Sequence, residues 1–116
     1  MIDSDQVKTW ALAFAEATEQ PHFEKNSFRI RKKIFCTLDE QKKRAVLKLT
    51  EADQSVFCAY DPKAAYPANG AWGKQGWTIF EMELTNAELF KDAMTTSYCN
   101  VAPKKLAAQY LPPEED

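Results

Sequence analysis

Apolar residues recur along this chain with two different periods, and each change of period marks a change of element. Val7, Trp10, Phe14 and Ala17 fall at spacings of three and four, behind cap candidates in Asp3-Ser4-Asp5-Gln6 and ahead of Pro21. This pattern predicts an amphipathic helix over residues 4–18. From Phe28 the period drops to two. Phe28 and Ile30 alternate with Arg29 and Arg31, IFCTL continues beyond Lys32-Lys33, and Arg44 to Leu49 follows the polar stretch Asp39 to Lys43. Three short strands joined by tight connections predict an antiparallel meander with tips at Lys32-Lys33 and Asp39–Lys43.

Helical spacing returns at Thr50-Glu51-Ala52-Asp53, which resembles a capping box, and the helix it opens is stopped by Asp61-Pro62. The stretch from Pro62 to Gly76 holds two prolines and all three glycines and is read as one long loop. Gly76 to Leu84 reads as a strand, with Trp77 assigned to the core and Trp72 to the surface. Thr85 is the expected cap of the next helix, with Glu88 reaching back. A last short helix begins near Pro103 and turns Leu106 and Tyr110 inward, before a frayed tail at Pro112 to Asp116. The order is α-β-β-β-α-β-α-α. It predicts an α+β fold over residues 1–116, a single domain with an antiparallel β-sheet and helices packed on one face.

Composition narrows the class. The 45% hydrophobic and 28% charged residues are those of an ordinary globular domain, and no apolar run approaches the roughly 20 residues of a membrane span. The start, MIDSDQVKTW, lacks a secretory signal, and Cys36, Cys58 and Cys99 are odd in number and scattered. A cytoplasmic protein with reduced thiols, no membrane association and no cofactor is expected.

Charge supplies the first candidate site. Between Lys25 and Lys48 nine basic residues face only Asp39 and Glu40, a local excess of seven in a chain of net charge −2. The candidates for contact with an anionic partner are Arg29, Arg31, Lys32, Lys33, Lys42, Lys43 and Arg44, with Lys74 assisting from the loop. Three readings follow: phosphate contacts to nucleic acid, exposed lysines that keep strand edges from pairing, or a patch for an acidic protein. The aromatics Tyr66, Trp72 and Trp77, beside Lys63 and Lys74, offer a surface for stacked bases or the wall of a small pocket, against the plainer role of anchoring the loop.

Catalytic and metal chemistry find little footing. Gly70, Gly73 and Gly76 precede a strand and no Gly-Lys-Ser/Thr follows, so no phosphate loop is expected. His22 with the three cysteines has the composition of a zinc site without its short spacings, so no metal is assigned. The Glu81/Glu83 and Glu114/Glu115 pairs read as a strand face and a solvated tail. No enzyme is expected.

The run FRIRKKIF, a basic turn and strand ending LKLT, Lys74-Gln75-Gly76-Trp77, and Ser97-Tyr98-Cys99-Asn100-Val101 with Lys104-Lys105-Leu106 together resemble the MmcQ/YjbR family of small bacterial proteins. The resemblance spans roughly residues 5 to 110. It implies a fold grouped with secretion chaperones and a double-wing arrangement for binding DNA, in which the two basic hairpins are the wings. DNA binding through these wings is the leading expectation, and the runner-up, which the fold resemblance also suggests, is a protein-interaction or chaperone-like adaptor that uses the sheet face. Members typically carry glycine in the first hairpin turn, where this chain has Lys32-Lys33. A lysine held there at positive φ costs on the order of 1 kcal/mol relative to glycine.

Overall fold

The computed structural model describes residues 1–111, and the tail from Pro112, with the Glu114/Glu115 pair, lies outside them. In chain order the elements are α1 (Ser4–Leu12), β1 (Thr18–His22), β2 (Lys25–Ile30), β3 (Lys33–Asp39), β4 (Arg44–Lys48), α2 (Glu51–Tyr60), β5 (Ala65–Pro67), α3 (Ala71–Lys74), β6 (Trp77–Glu81), α4 (Ala87–Val101) and α5 (Lys104–Ala107). The strands form one sheet in the order β1-β2-β3-β4-β6-β5, and every pairing is antiparallel. This is the α+β architecture that the change of period predicts, with strands added at both edges.

Alternation sends Phe28, Ile30, Leu38, Ala45, Leu47 and Phe80 to one face, where all are fully buried. Val7 and Ala11 of α1 and Phe90, Ala93, Met94 and Tyr98 of α4 close over them. A bulge sharpens this packing. Phe28 pairs with Cys36 and Arg29 with Ile34, so Phe35 is the extra residue, and it joins Cys36 in the core. Its ring meets Phe14 and Tyr98 edge-on, at 5.9 and 5.5 Å between centroids. Ser97 of α4 latches the bulge: its hydroxyl donates to the Phe35 carbonyl at 2.6 Å and accepts the Lys48 N–H at 3.0 Å.

The first helix starts as expected and ends early. Asp3 and Gln6 exchange hydrogen bonds of 2.9 Å in a full capping box. The helix stops at Leu12 because Phe14 turns inward to stack on Tyr98, 4.6 Å away. The backbone of Ala15 is then satisfied by two tyrosines: its N–H donates to the Tyr110 hydroxyl, and its carbonyl accepts from the Tyr98 hydroxyl, both at 2.8 Å. Glu16, at φ 61°, reverses the chain into β1. That strand, TEQPH, has no apolar alternation to announce it; it is an exposed edge strand, blunted by Pro21.

The expected loop between Pro62 and Gly76 is instead β5 and α3, held from below. Gln54, buried on α2, donates its amide to the Gly73 carbonyl at 3.0 Å and to the Thr78 hydroxyl at 3.1 Å, with the Trp77 carbonyl at 3.3 Å. A Cβ on Gly73 would lie 2.0 Å from the Ala68 carbonyl oxygen, and one on Gly76 would lie 1.8 Å from that of Leu49. Only glycine permits both approaches. Farther on, Asn86 caps α4 by accepting the Leu89 N–H at 3.1 Å, while Thr85 is buried and donates to the Glu81 carbonyl at 2.7 Å. The adjacent Thr85 is thereby taken out of the cap position expected for it. Thr50 does cap α2, accepting the Asp53 N–H at 3.1 Å.

Candidate binding face

Among the described residues the other face of the sheet is covered by no long helix, only α3 standing at one corner, and alternation writes three rows of side chains on it. The central row runs Gln20, Ser27, Thr37, Val46, Ile79, Tyr66 across all six strands. Toward the β2–β3 tip lie Arg29, Ile34, Lys48 and Trp77. Toward the β3–β4 turn lie Lys25, Asp39, Arg44 and Glu81. Ile34, Val46, Trp77 and Ile79 are half-buried, because nothing but their neighbours covers them. Trp77, expected in the core, belongs to this face, with the Lys48 ammonium 5.6 Å above its ring.

A groove of about 810 Å³ crosses this face diagonally, from Phe23 at the β1–β2 tip over Ile34, Val46 and Ile79 to Trp72 on α3. Its two ends are unusual. Phe23 is 93% exposed and Trp72 64% exposed. Phe23 also sits at φ 59° in the two-residue loop Phe23-Glu24, the first central position, where such hairpin turns take glycine. A bulky side chain in the left-handed region is an outlier of the kind that clusters at functional sites.

Beside the groove, Arg44, Glu81 and Tyr66 form a closed network. The Arg44 Nε donates to both Glu81 oxygens at 3.2 and 3.0 Å, and the Tyr66 hydroxyl donates to the same carboxylate. Burial works against the Glu81 charge, yet the hydrogen bonds from Tyr66 and Arg44 and the guanidinium's charge win and hold its carboxyl below the usual range. The same contact with Glu81 pushes the Tyr66 hydroxyl up. Arg44 is therefore committed within the fold. Elsewhere, burial pushes the thiol of Cys36 far up, and it also raises those of the half-buried Cys58 and Cys99.

The basic residues do not converge. Consecutive hairpins of a meander point in opposite directions, so Arg31, Lys32 and Lys33 lie at one end of β3 and Lys42 and Lys43 at the other. Seven residues of β3 separate them by about 20 Å at roughly 3.3 Å per residue. Carboxylates attend several: Arg31 pairs with Glu16 at 3.3 Å, Lys43 with Glu83 at 3.5 Å and Arg44 with Glu81. Lys42 donates its backbone N–H to Asp39 at 3.1 Å. Arg29 lies on the open face, bonded to Ser27 at 3.0 Å, and Lys74 is exposed at the end of α3. The first tip is Arg31-Lys32 rather than Lys32-Lys33, with φ of 49° and 73°, a two-residue turn built without glycine. Phe23 escapes a reading by pattern because it is a single apolar residue in a polar stretch. The groove floor is announced more clearly, since IFCTL and RAVLK carry apolar residues at both parities.

Comparison with known proteins agrees with this layout. No curated protein matches the chain. Among solved structures, the crystal structure of Deinococcus radiodurans protein DR2400, described by the domain DUF419, superposes with a TM-score of 0.79. It covers 100% of this chain and 94% of its own at 18% identity, a likeness of fold. The YjbR family model matches residues 12–100. That span runs from the end of the first helix through the Ser97-Tyr98 latch, the residues that hold sheet and helices together, and the chain belongs to the YjbR family.

Proposed function

We propose that this protein is a non-catalytic binding module that holds a segment of a partner protein against its open sheet face. One observation carries the reading: Phe23, almost wholly exposed, is kept in a left-handed conformation at the mouth of an apolar groove. A single exposed phenylalanine is ordinary, but here its ring continues the apolar lining of the groove, and a contiguous exposed apolar surface of that kind marks an interaction site. There the ring inserts beside an incoming apolar side chain, as anchors at interface centres do.

The test is selection of a displayed random dodecapeptide library on the protein, with a Phe23→Ser/Trp72→Ser variant as the counter-target. Enrichment of sequences with large apolar residues that bind the parent and not the variant supports the reading. Pools that bind both alike refute it.

A second reading has its own observation in the Arg31-Lys32 tip, whose two left-handed residues carry charge where glycine would relax the turn. It assigns that tip to the phosphates of DNA. Anisotropy with labelled duplex and single-stranded DNA at about 50 and 200 mM salt tests it, since phosphate contacts weaken steeply over that range. Salt-sensitive binding lost on Arg31→Glu/Lys32→Glu would move the function to the tip.

A further inference from the structure

We infer that the segment taken by the open face is acidic as well as apolar, with two large anchors about six residues apart; this rests on the sheet-face reading above. The face and the mouth of its groove carry four cations, Lys25, Arg29, Arg44 and Lys48, against three carboxylates, Asp39 and Glu81 on the strands and Glu24 at the tip beside Phe23, in a chain whose net charge is −2. Glu81 is spent on Arg44 and Tyr66, and Asp39 accepts the Lys42 N–H. Among the described residues Lys25, Arg29 and Lys48 form no ion pair. They flank the groove: Lys25 beside Phe23, Arg29 opposite Ile34, and Lys48 opposite Trp77. Potential complementary to these three is negative, and it would select and steer the partner more than it would add raw affinity.

Geometry sets the spacing. From Phe23 to Trp72 the groove crosses three inter-strand gaps, β2 to β3 to β4 to β6, and about four residues of strand length. At roughly 4.8 Å per gap and 3.3 Å per residue the diagonal is on the order of 20 Å, or about six residues of extended chain. A protein segment fits this better than single-stranded nucleic acid does. The aromatic lining is split, His22 and Phe23 at one corner and Trp72 and Trp77 at the other, with the aliphatic Ile34, Val46 and Ile79 between them, which offers no continuous platform for successive bases.

The experiment uses four labelled probes with the full chain: an acidic dodecapeptide with two tryptophans six apart, the same peptide with lysines for its acids, the same with serines for its tryptophans, and a dT dodecamer. The acidic tryptophan peptide is expected to bind best. Its affinity should fall about tenfold on Arg29→Glu/Lys48→Gln and on raising salt from about 50 to 200 mM, and it should be lost on Phe23→Ser. Arg29→Gln alone, which leaves Lys48 over Trp77, is expected to lose part of the affinity. If the basic peptide binds as well, or the charge variants change nothing, the acidic inference falls and the sheet-face reading stands. If the serine peptide binds equally, or Phe23→Ser has no effect, both fall. Tighter binding of dT, sensitive to Phe23→Ser, overturns the protein partner in favour of nucleic acid.

Discussion

Replacing Phe23 by glycine separates what the fold requires from what the surface offers. Phe23 holds φ 59° in a two-residue hairpin loop flanked by the His22–Lys25 pair. An L-residue in the left-handed region costs roughly 1–2 kcal/mol, which Phe23→Gly removes. Against this, glycine gives the unfolded chain extra freedom, worth about 0.5–1 kcal/mol. The ring is 93% exposed, so little burial is lost with it. Its one aromatic neighbour is His22, edge-on at 4.8 Å, a contact near the lower end of the roughly 0.5–1.5 kcal/mol range for such pairs. The balance runs from a loss of about 0.5 kcal/mol to a gain of about 1 kcal/mol, a rise of up to roughly 4 °C in Tm. Urea and thermal denaturation followed by circular dichroism measure it, alongside peptide binding. The expected outcome is a protein within about 0.5 kcal/mol of the parent's stability, or more stable, that no longer binds. A loss of more than about 1 kcal/mol would refute the reasoning, because it would mean the ring anchors the hairpin as a packed side chain does.

Three further substitutions probe the scaffold. Gly76→Ala places a Cβ 1.8 Å from the Leu49 carbonyl oxygen at φ 101°, and should cost more than about 3 kcal/mol, read as a lost or much lowered unfolding transition. Gln54→Leu removes the donor that serves Gly73, Trp77 and Thr78, with an expected loss of about 2–3 kcal/mol and a shift in tryptophan emission as α3 loosens. The third concerns pH. The Glu81 carboxyl is held below its usual range in the folded state, so its contribution is present above the ordinary glutamate value and is lost as pH falls through the lowered one. Glu81→Gln should therefore flatten the acid limb of the stability curve by under about 1 kcal/mol, the scale of a partly exposed ion pair. An unchanged limb in urea titrations across that window would mean the Arg44–Glu81–Tyr66 network does not titrate with folding.

What the sequence discloses here is local chemistry, and what it hides is long-range. The Asp3 and Thr50 caps, the two-residue period from Phe28 and the helix of Leu89 to Tyr98 are written in neighbouring residues, and each is found where its pattern puts it. The early end of α1 is not, because it depends on Tyr98 and Tyr110, more than 80 positions away. Nor is the ordering of Pro62 to Gly76, which Gln54 imposes from another helix. β1 fails for a different reason: an edge strand with both faces polar leaves no hydrophobic period to read. The charged residues of the candidate site were legible one by one. Their separation follows from meander geometry, and the groove needs the sheet assembled before Phe23 and Trp72 face each other across it.

The distribution of strain is itself an argument about function. The chain has three glycines, and two of them, Gly73 and Gly76, serve close backbone approaches. Among the described residues five that are not glycine take positive φ: Glu16, Phe23, Arg31, Lys32 and Lys43. At roughly 1–2 kcal/mol each, they are a real fraction of the 5–15 kcal/mol that holds a typical domain together. Glu16 and Arg31 pair with each other and Lys43 pairs with Glu83, so three of the five recover something inside the fold. Phe23 and Lys32 recover little, since one ring is bare and one ammonium has no carboxylate among the described residues. They lie at opposite ends of β2, one at the mouth of the groove and one at the basic tip. A residue that costs folding energy and returns little of it to the fold is best understood by what it meets outside, and Phe23 alone of the pair stands over an apolar groove able to receive it.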